Sequence, residues 1–117
     1  MISGEKGSVE KFTQFLKDNG ARKAIALPVS APFHSRLMSP AAIEMESALS
    51  NIEFSNPKIP IILNVSLQTL QTIEGAQKSL VQQITGTVRW RESLIVMNEN
   101  INVDNFYEIG PGKVLSG

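Results

Sequence analysis

Ile59-Pro60-Ile61-Ile62-Leu63-Asn64-Val65 is a short apolar run rich in β-branched residues, without the alternation of a strand that keeps one face wet. Such a run is expected in a strand covered on both faces, as in a parallel sheet flanked by helices. Upstream, Ala24-Ile25-Ala26-Leu27-Pro28-Val29 reads as a second buried strand that ends at or just past its proline. Downstream, Phe106-Tyr107-Glu108-Ile109 reads as a last short strand, closed by the turn Gly110-Pro111-Gly112. Met1-Ile2-Ser3-Gly4 has the look of a strand cut in half, and residues 113–117 begin an element without completing it, so the chain reads as a fragment.

Four stretches of helical period lie between these strands. Val9, Phe12, Phe15 and Leu16 recur at helical spacing over residues 9–19, with Ser8 as the expected cap and Gly20 as the stop. Ala41, Ala42, Met45, Ala48 and Leu49 form a second stripe that ends near Ser50, with Ser39 as cap and Pro40 in the first turn, where its missing N–H costs nothing. Ala76, Leu80, Val81 and Ile84 make a third, and Leu94, Ile95 and Met97 a fourth that starts near an inward-packed Trp90. Strand and helix alternate without internal repeats, which predicts an α/β architecture with a mostly parallel sheet.

Composition removes several functions. Eleven Lys and Arg balance eleven Asp and Glu, so the chain lacks the excess positive charge that would hold nucleic acid or an anionic membrane surface. The absence of cysteine excludes disulfide scaffolds, thiolate-zinc sites and Cys nucleophiles, and fits a reducing compartment. No apolar segment has the length of a membrane span, and the N-terminus lacks the apolar stretch of a signal peptide. A soluble cytoplasmic protein, with no nucleic-acid or membrane partner, is the expectation.

Chemistry concentrates on the single histidine, His34, in the loop that follows the strand at residues 24–29. Strand C-termini are where α/β folds hold their ligands, and a histidine there can serve as general base for a hydroxyl or thiol. Taken alone, one histidine without a visible partner is more often a loop-tying residue. Ser30 and Ser35 are its nearest hydroxyls, but no Gly-x-Ser-x-Gly elbow surrounds either one or any other serine. Gly110-Pro111-Gly112 lacks the spacing of a phosphate-binding loop and reads as a structural turn, while Asp, Glu and His form no metal-ligand pattern.

A longer string changes this balance: Leu27-Pro28-Val29-Ser30-Ala31-Pro32-Phe33-His34-Ser35-Arg36-Leu37-Met38 closely resembles the histidine loop of the malonyl-CoA:acyl-carrier-protein transacylases. Three further segments follow in that family's order: Pro60-Ile61-Ile62-Leu63-Asn64-Val65, Gln83-Ile84-Thr85-Gly86-Thr87-Val88-Arg89-Trp90, and Tyr107-Glu108-Ile109-Gly110-Pro111-Gly112-Lys113-Val114-Leu115. The resemblance implies a partial α/β-hydrolase-like parallel-sheet core, the C-terminal part of the acyltransferase, over residues 30–117. Residues 1–29 resemble the end of the family's small ferredoxin-like subdomain.

It also implies the chemistry. His34 would be the catalytic base, and Gln83 matches the residue whose backbone carbonyl orients the imidazole. Asn64 resembles a family residue near the site, without an assigned role. The substrates implied are malonyl-CoA and the phosphopantetheine thiol of acyl carrier protein, with no separate cofactor. The family's serine elbow, carboxylate-binding arginine and oxyanion-hole region match nothing in this chain, so these residues alone are expected to be inactive. The alternative is a non-catalytic interaction module that assembles with a separate N-terminal chain or with the carrier protein.

Overall fold

The computed structural model describes residues 2–113 and Leu115; the expectations that involve Met1, Val114, Ser116 and Gly117 fall partly outside it. In chain order come α1 (Lys6–Asp18), a 3-10 turn (Arg36–Met38), α2 (Ser39–Ser50), β1 (Ile61–Ile62), β2 (Thr69–Leu70), α3 (Ala76–Thr85) and α4 (Trp90–Asn100). All four stretches of helical period are thus helices. Gly20, just past α1, takes φ +87°, a left-handed conformation suited to a glycine stop.

The caps differ from expectation. Glu5, not Ser8, starts α1: its carboxylate accepts the N–H groups of Gly7 and Ser8 at 3.0 and 2.8 Å, and Ser8 lies inside the helix. A carboxylate at this end satisfies two orphan donors and also meets the positive end of the helix dipole. Both hydrogen bonds favour the ionised form, and the backbone bond from Gly7 leads in lowering the Glu5 pKa below its usual 4.5. Ser39 is likewise not the cap of α2. Its hydroxyl donates back to the Arg36 carbonyl at 2.7 Å, tying the 3-10 turn to the helix, while Pro40 occupies the first turn as expected. Trp90 opens α4 but is 42% exposed rather than packed inward.

The larger correction concerns the sheet. Among the described residues the only ladder is a two-residue antiparallel pairing, Ile61 with Leu70 and Ile62 with Thr69, joined through residues 63–68. No parallel sheet forms within the described residues. Residues 24–29 and 106–109 carry no regular structure, and their side chains stand in solvent: Ile25 is 71% exposed, Tyr107 83% and Ile109 96%. The reason is physical. A strand is defined by the hydrogen bonds of a neighbouring strand, and an apolar run that joins no ladder gains no sheet to cover it.

Packing is consequently concentrated in one place. The 3-10 turn, α2 and α3 pack together, with Leu49 and Ala76 buried between them. Elsewhere apolar surface stays open, and the chain exposes 9660 Å². A compact monomer of 12.8 kDa would expose about 6300 Å² by the usual mass scaling. The radius of gyration, 17.1 Å, likewise exceeds the roughly 13 Å of a compact domain of this length.

Candidate functional site

The one packed region is also where His34 lies. Its loop is built from short local bonds: Phe33 N–H donates to the Ala31 carbonyl at 2.9 Å and the Ser35 hydroxyl to the Pro32 carbonyl at 2.7 Å. The Ser35 oxygen also accepts the Leu37 N–H at 3.3 Å, capping the 3-10 turn. Ser35 is therefore engaged as a loop fastener. His34 itself adopts φ +58°, a left-handed conformation that costs a side-chain-bearing residue on the order of 1–3 kcal/mol. Such strain persists only where surrounding contacts hold it.

One contact does so directly. His34 Nδ1 lies 2.9 Å from the backbone carbonyl oxygen of Gln83, a residue 49 positions away on the last turn of α3. The carbonyls of a helix's last turn have no partner within the helix, so the imidazole caps one of them. A carbonyl can only accept, which puts the hydrogen on Nδ1 and leaves Nε2 as the basic nitrogen of the neutral ring. The half-buried histidine is thus held at one nitrogen, with a defined tautomer.

Asn64 joins the same cluster. It follows β1 on the hairpin, and its side-chain amide donates to the Gln83 side-chain oxygen at 3.4 Å. Its backbone carbonyl accepts the N–H of Arg89, the residue before α4, at 2.9 Å. Gly86 closes α3 by donating to the Gln82 carbonyl at 2.9 Å. A Cβ at Gly86 would stand 2.8 Å from that oxygen and 2.9 Å from both methyls of Val65, so only glycine lets the helix end meet the hairpin this closely. Sequence reading took Gly86 only as part of a motif. Its one visible signal was a glycine directly behind a helical stripe.

Other side chains singled out in the sequence lie outside this cluster. Gly110 and Gly112 take φ +146° and +93°, and across their turn the Glu108 carboxylate accepts the Leu115 N–H at 3.2 Å. That carboxylate makes the turn a structural one rather than an anion cradle. Arg89 donates from Nε to the Glu92 carboxylate at 3.4 Å on the exposed start of α4. Ser93, the most buried side chain, was missed by sequence reading; its hydroxyl donates to the Arg89 carbonyl at 2.9 Å and stabilises the same helix start. No helix among the described residues is long and apolar enough to cross a membrane.

Comparison with known proteins gives a consistent set of relatives. No family model matches the chain. The malonyl CoA-acyl carrier protein transacylase of Bacillus subtilis (strain 168) is 40% identical over 117 residues, all of this chain. Among solved structures, an acyl-carrier-protein S-malonyltransferase from Burkholderia pseudomallei 1710b superposes with a TM-score of 0.89 at 37% identity, over 96% of this chain and 36% of that one. A malonyl-transacylase in complex with its type II polyketide synthase acyl-carrier protein gives a TM-score of 0.89 at 40% identity, over 95% of this chain and 36% of that one. The chain spans about 37% of the length of the Bacillus relative.

Proposed function

We propose that this chain, similar from end to end to the malonyl CoA-acyl carrier protein transacylases, is the part of such an enzyme that carries its catalytic base. In this reading residues 1–29 end the ferredoxin-like subdomain, and residues 30–117 form the C-terminal part of the α/β-hydrolase-like core. The observation that carries it is the 2.9 Å bond between His34 Nδ1 and the Gln83 carbonyl, in a chain otherwise matched to transacylases throughout.

The chemistry follows from that bond. With Nδ1–H committed to Gln83, Nε2 of His34 takes the proton of a serine hydroxyl as that oxygen attacks the malonyl thioester carbonyl. The Nδ1–H bond to the Gln83 carbonyl holds the ring in place while Nε2 takes and returns the proton. As the tetrahedral adduct collapses, Nε2–H protonates the departing coenzyme A sulfur, leaving the malonyl group on serine. The carrier-protein phosphopantetheine thiol then gives its proton to Nε2 and attacks the ester, and Nε2–H returns the proton to the serine oxygen. Each half of this ping-pong exchange uses the same nitrogen.

The nucleophile is supplied by residues outside these 117, since no serine here has an elbow context and Ser35 is tied into its loop. Triad members act as a unit, so a base without its nucleophile contributes little. The exposed apolar segments at residues 24–29 and 106–109 support the same reading, because they offer the strand edges that a larger sheet would cover. The enzyme is a cytoplasmic one of fatty acid biosynthesis. The test is malonyl transfer from malonyl-CoA to acyl carrier protein by the full-length protein and its His34→Ala variant. Turnover should fall by about 10³-fold or more, and undiminished turnover would refute the role of His34. The 117-residue chain assayed alone should show no transfer.

A further inference from the structure

We propose that Asn64 is a positioning residue that holds the Gln83 carbonyl, and through it the His34 imidazole, in the orientation that transfer requires. The inference rests on the transacylase reading and deepens it. Its basis is the set of attachments that converge on one short piece of backbone. The Asn64 amide donates to the Gln83 side chain at 3.4 Å. The next residue, Val65, presses its methyls against Gly86, where a Cβ would meet them at 2.9 Å. The Asn64 carbonyl accepts from Arg89 at 2.9 Å. Residues 64–65 therefore grip the chain at 83, 86 and 89, on both sides of the break between α3 and α4.

That grip has a chemical purpose. The carbonyl that meets His34 sits at a helix end, where backbone bonds are fewest and fraying is easiest. Left to itself, the last turn of α3 would wander by fractions of an ångström, and the imidazole, already strained at φ +58°, would follow. Asn64 bonds the side chain of the very residue whose carbonyl meets the imidazole. Asn64 is half-buried, so the bond is partly shielded from competing water. Its role passes through Gln83 and involves no contact with the acyl group.

The experiment uses the full-length enzyme with three variants. Asn64→Leu keeps the volume and the backbone bond to Arg89 but removes the side-chain donor. Gln83→Leu removes the acceptor and keeps the carbonyl. Asn64→Asp restores a bond, because the Gln83 amide can turn its NH2 toward the new carboxylate. Asn64→Leu should lower kcat roughly tenfold, as expected for small misplacement of a catalytic group, with KM for malonyl-CoA within about twofold. The double Leu variant should be no worse than either single one. Histidine 15N NMR should show a smaller share of the Nδ1–H tautomer in both single variants, and Asn64→Asp should recover most of kcat.

Wild-type kcat and tautomer in a folded Asn64→Leu enzyme would overturn the inference, as would losses that multiply in the double variant. If Asn64→Leu does not fold, the tautomer in Gln83→Leu decides, and an unchanged Nδ1–H share overturns it. His34→Ala serves as the control. An active His34→Ala enzyme sinks the transacylase reading itself, whereas an inactive one beside an unaffected Asn64→Leu sinks only the role of Asn64.

Discussion

Two regions of this chain that both carry apolar side chains behave in opposite ways. Around His34, the 3-10 turn, α2 and α3 bury Leu49 and Ala76, and the hairpin at Asn64–Val65 joins the end of α3. At residues 24–29 and 106–109 equally apolar side chains stand open, with Ile109 at 96% exposure. A helix satisfies its own backbone and needs only a face to rest on, so two helices and a turn can close a small core by themselves. A strand leaves half its bonding to others. The frame around His34 therefore packs within these residues, while the two open runs form no ladder among the described residues.

The largest effect expected from this contrast is a reversal between two alanine substitutions. Leu49→Ala should destabilise the isolated chain and the full-length enzyme alike, by about 2–5 kcal/mol as for a buried leucine. Ile109→Ala should leave the isolated chain unchanged but cost the full-length enzyme about as much, because there the strand would be covered. Denaturant titrations of both proteins measure this, and an Ile109→Ala effect near zero in the full-length enzyme would remove the case for a completed sheet. The isolated chain should also bind a hydrophobic dye strongly and unfold over a broad range, the behaviour of a protein with large open apolar surface. A sharp, monomeric transition would count against the fragment reading.

A smaller effect is expected inside the packed region. Gly86→Ala forces a methyl against the Gln82 carbonyl and Val65, and overpacking of this kind costs about 1–3 kcal/mol. Because the same turn carries the Gln83 carbonyl, malonyl transfer should fall further than stability alone explains. Comparison of kcat with the melting curve tests that.

The smallest effect lies on α1, away from both regions. Glu5 has its pKa lowered by the backbone N–H of Gly7, so its stabilising charge is fully present above the unfolded value of 4.5 and lost as pH falls through the lower folded value. Circular dichroism of the chain should show helix content level near neutral pH and declining under acid. Glu5→Gln should remove that acid-dependent part.

Much of this was legible in the residues. Leu16, Leu49, Val81 and Leu94 sit on stripes whose period declares a helix, because i to i+4 contacts are local and repeat within one stretch of chain. The histidine loop was recognisable from its string of neighbours, and Gln83 from its place in a second motif. What failed were the parallel sheet, the inward Trp90 and the decisions made at element ends, where Glu5 outcompeted Ser8 for the first N–H groups of α1 and Ser39 turned back to Arg36. Several side chains can serve one helix end, and only geometry chooses among them.

By itself the sequence determined the helices, and it pointed to His34 as a candidate base through a resemblance to the transacylases. The resemblance pointed to the Gln83 carbonyl; only the tertiary structure decided that Asn64 and Gly86 frame it, and that the runs at 24–29 and 106–109 form no ladder among the described residues. The physical reason is distance along the chain. Helical bonds close within four residues and can be read locally, whereas the His34–Gln83 bond spans 49 and a strand's bonds depend wholly on what lies beside it.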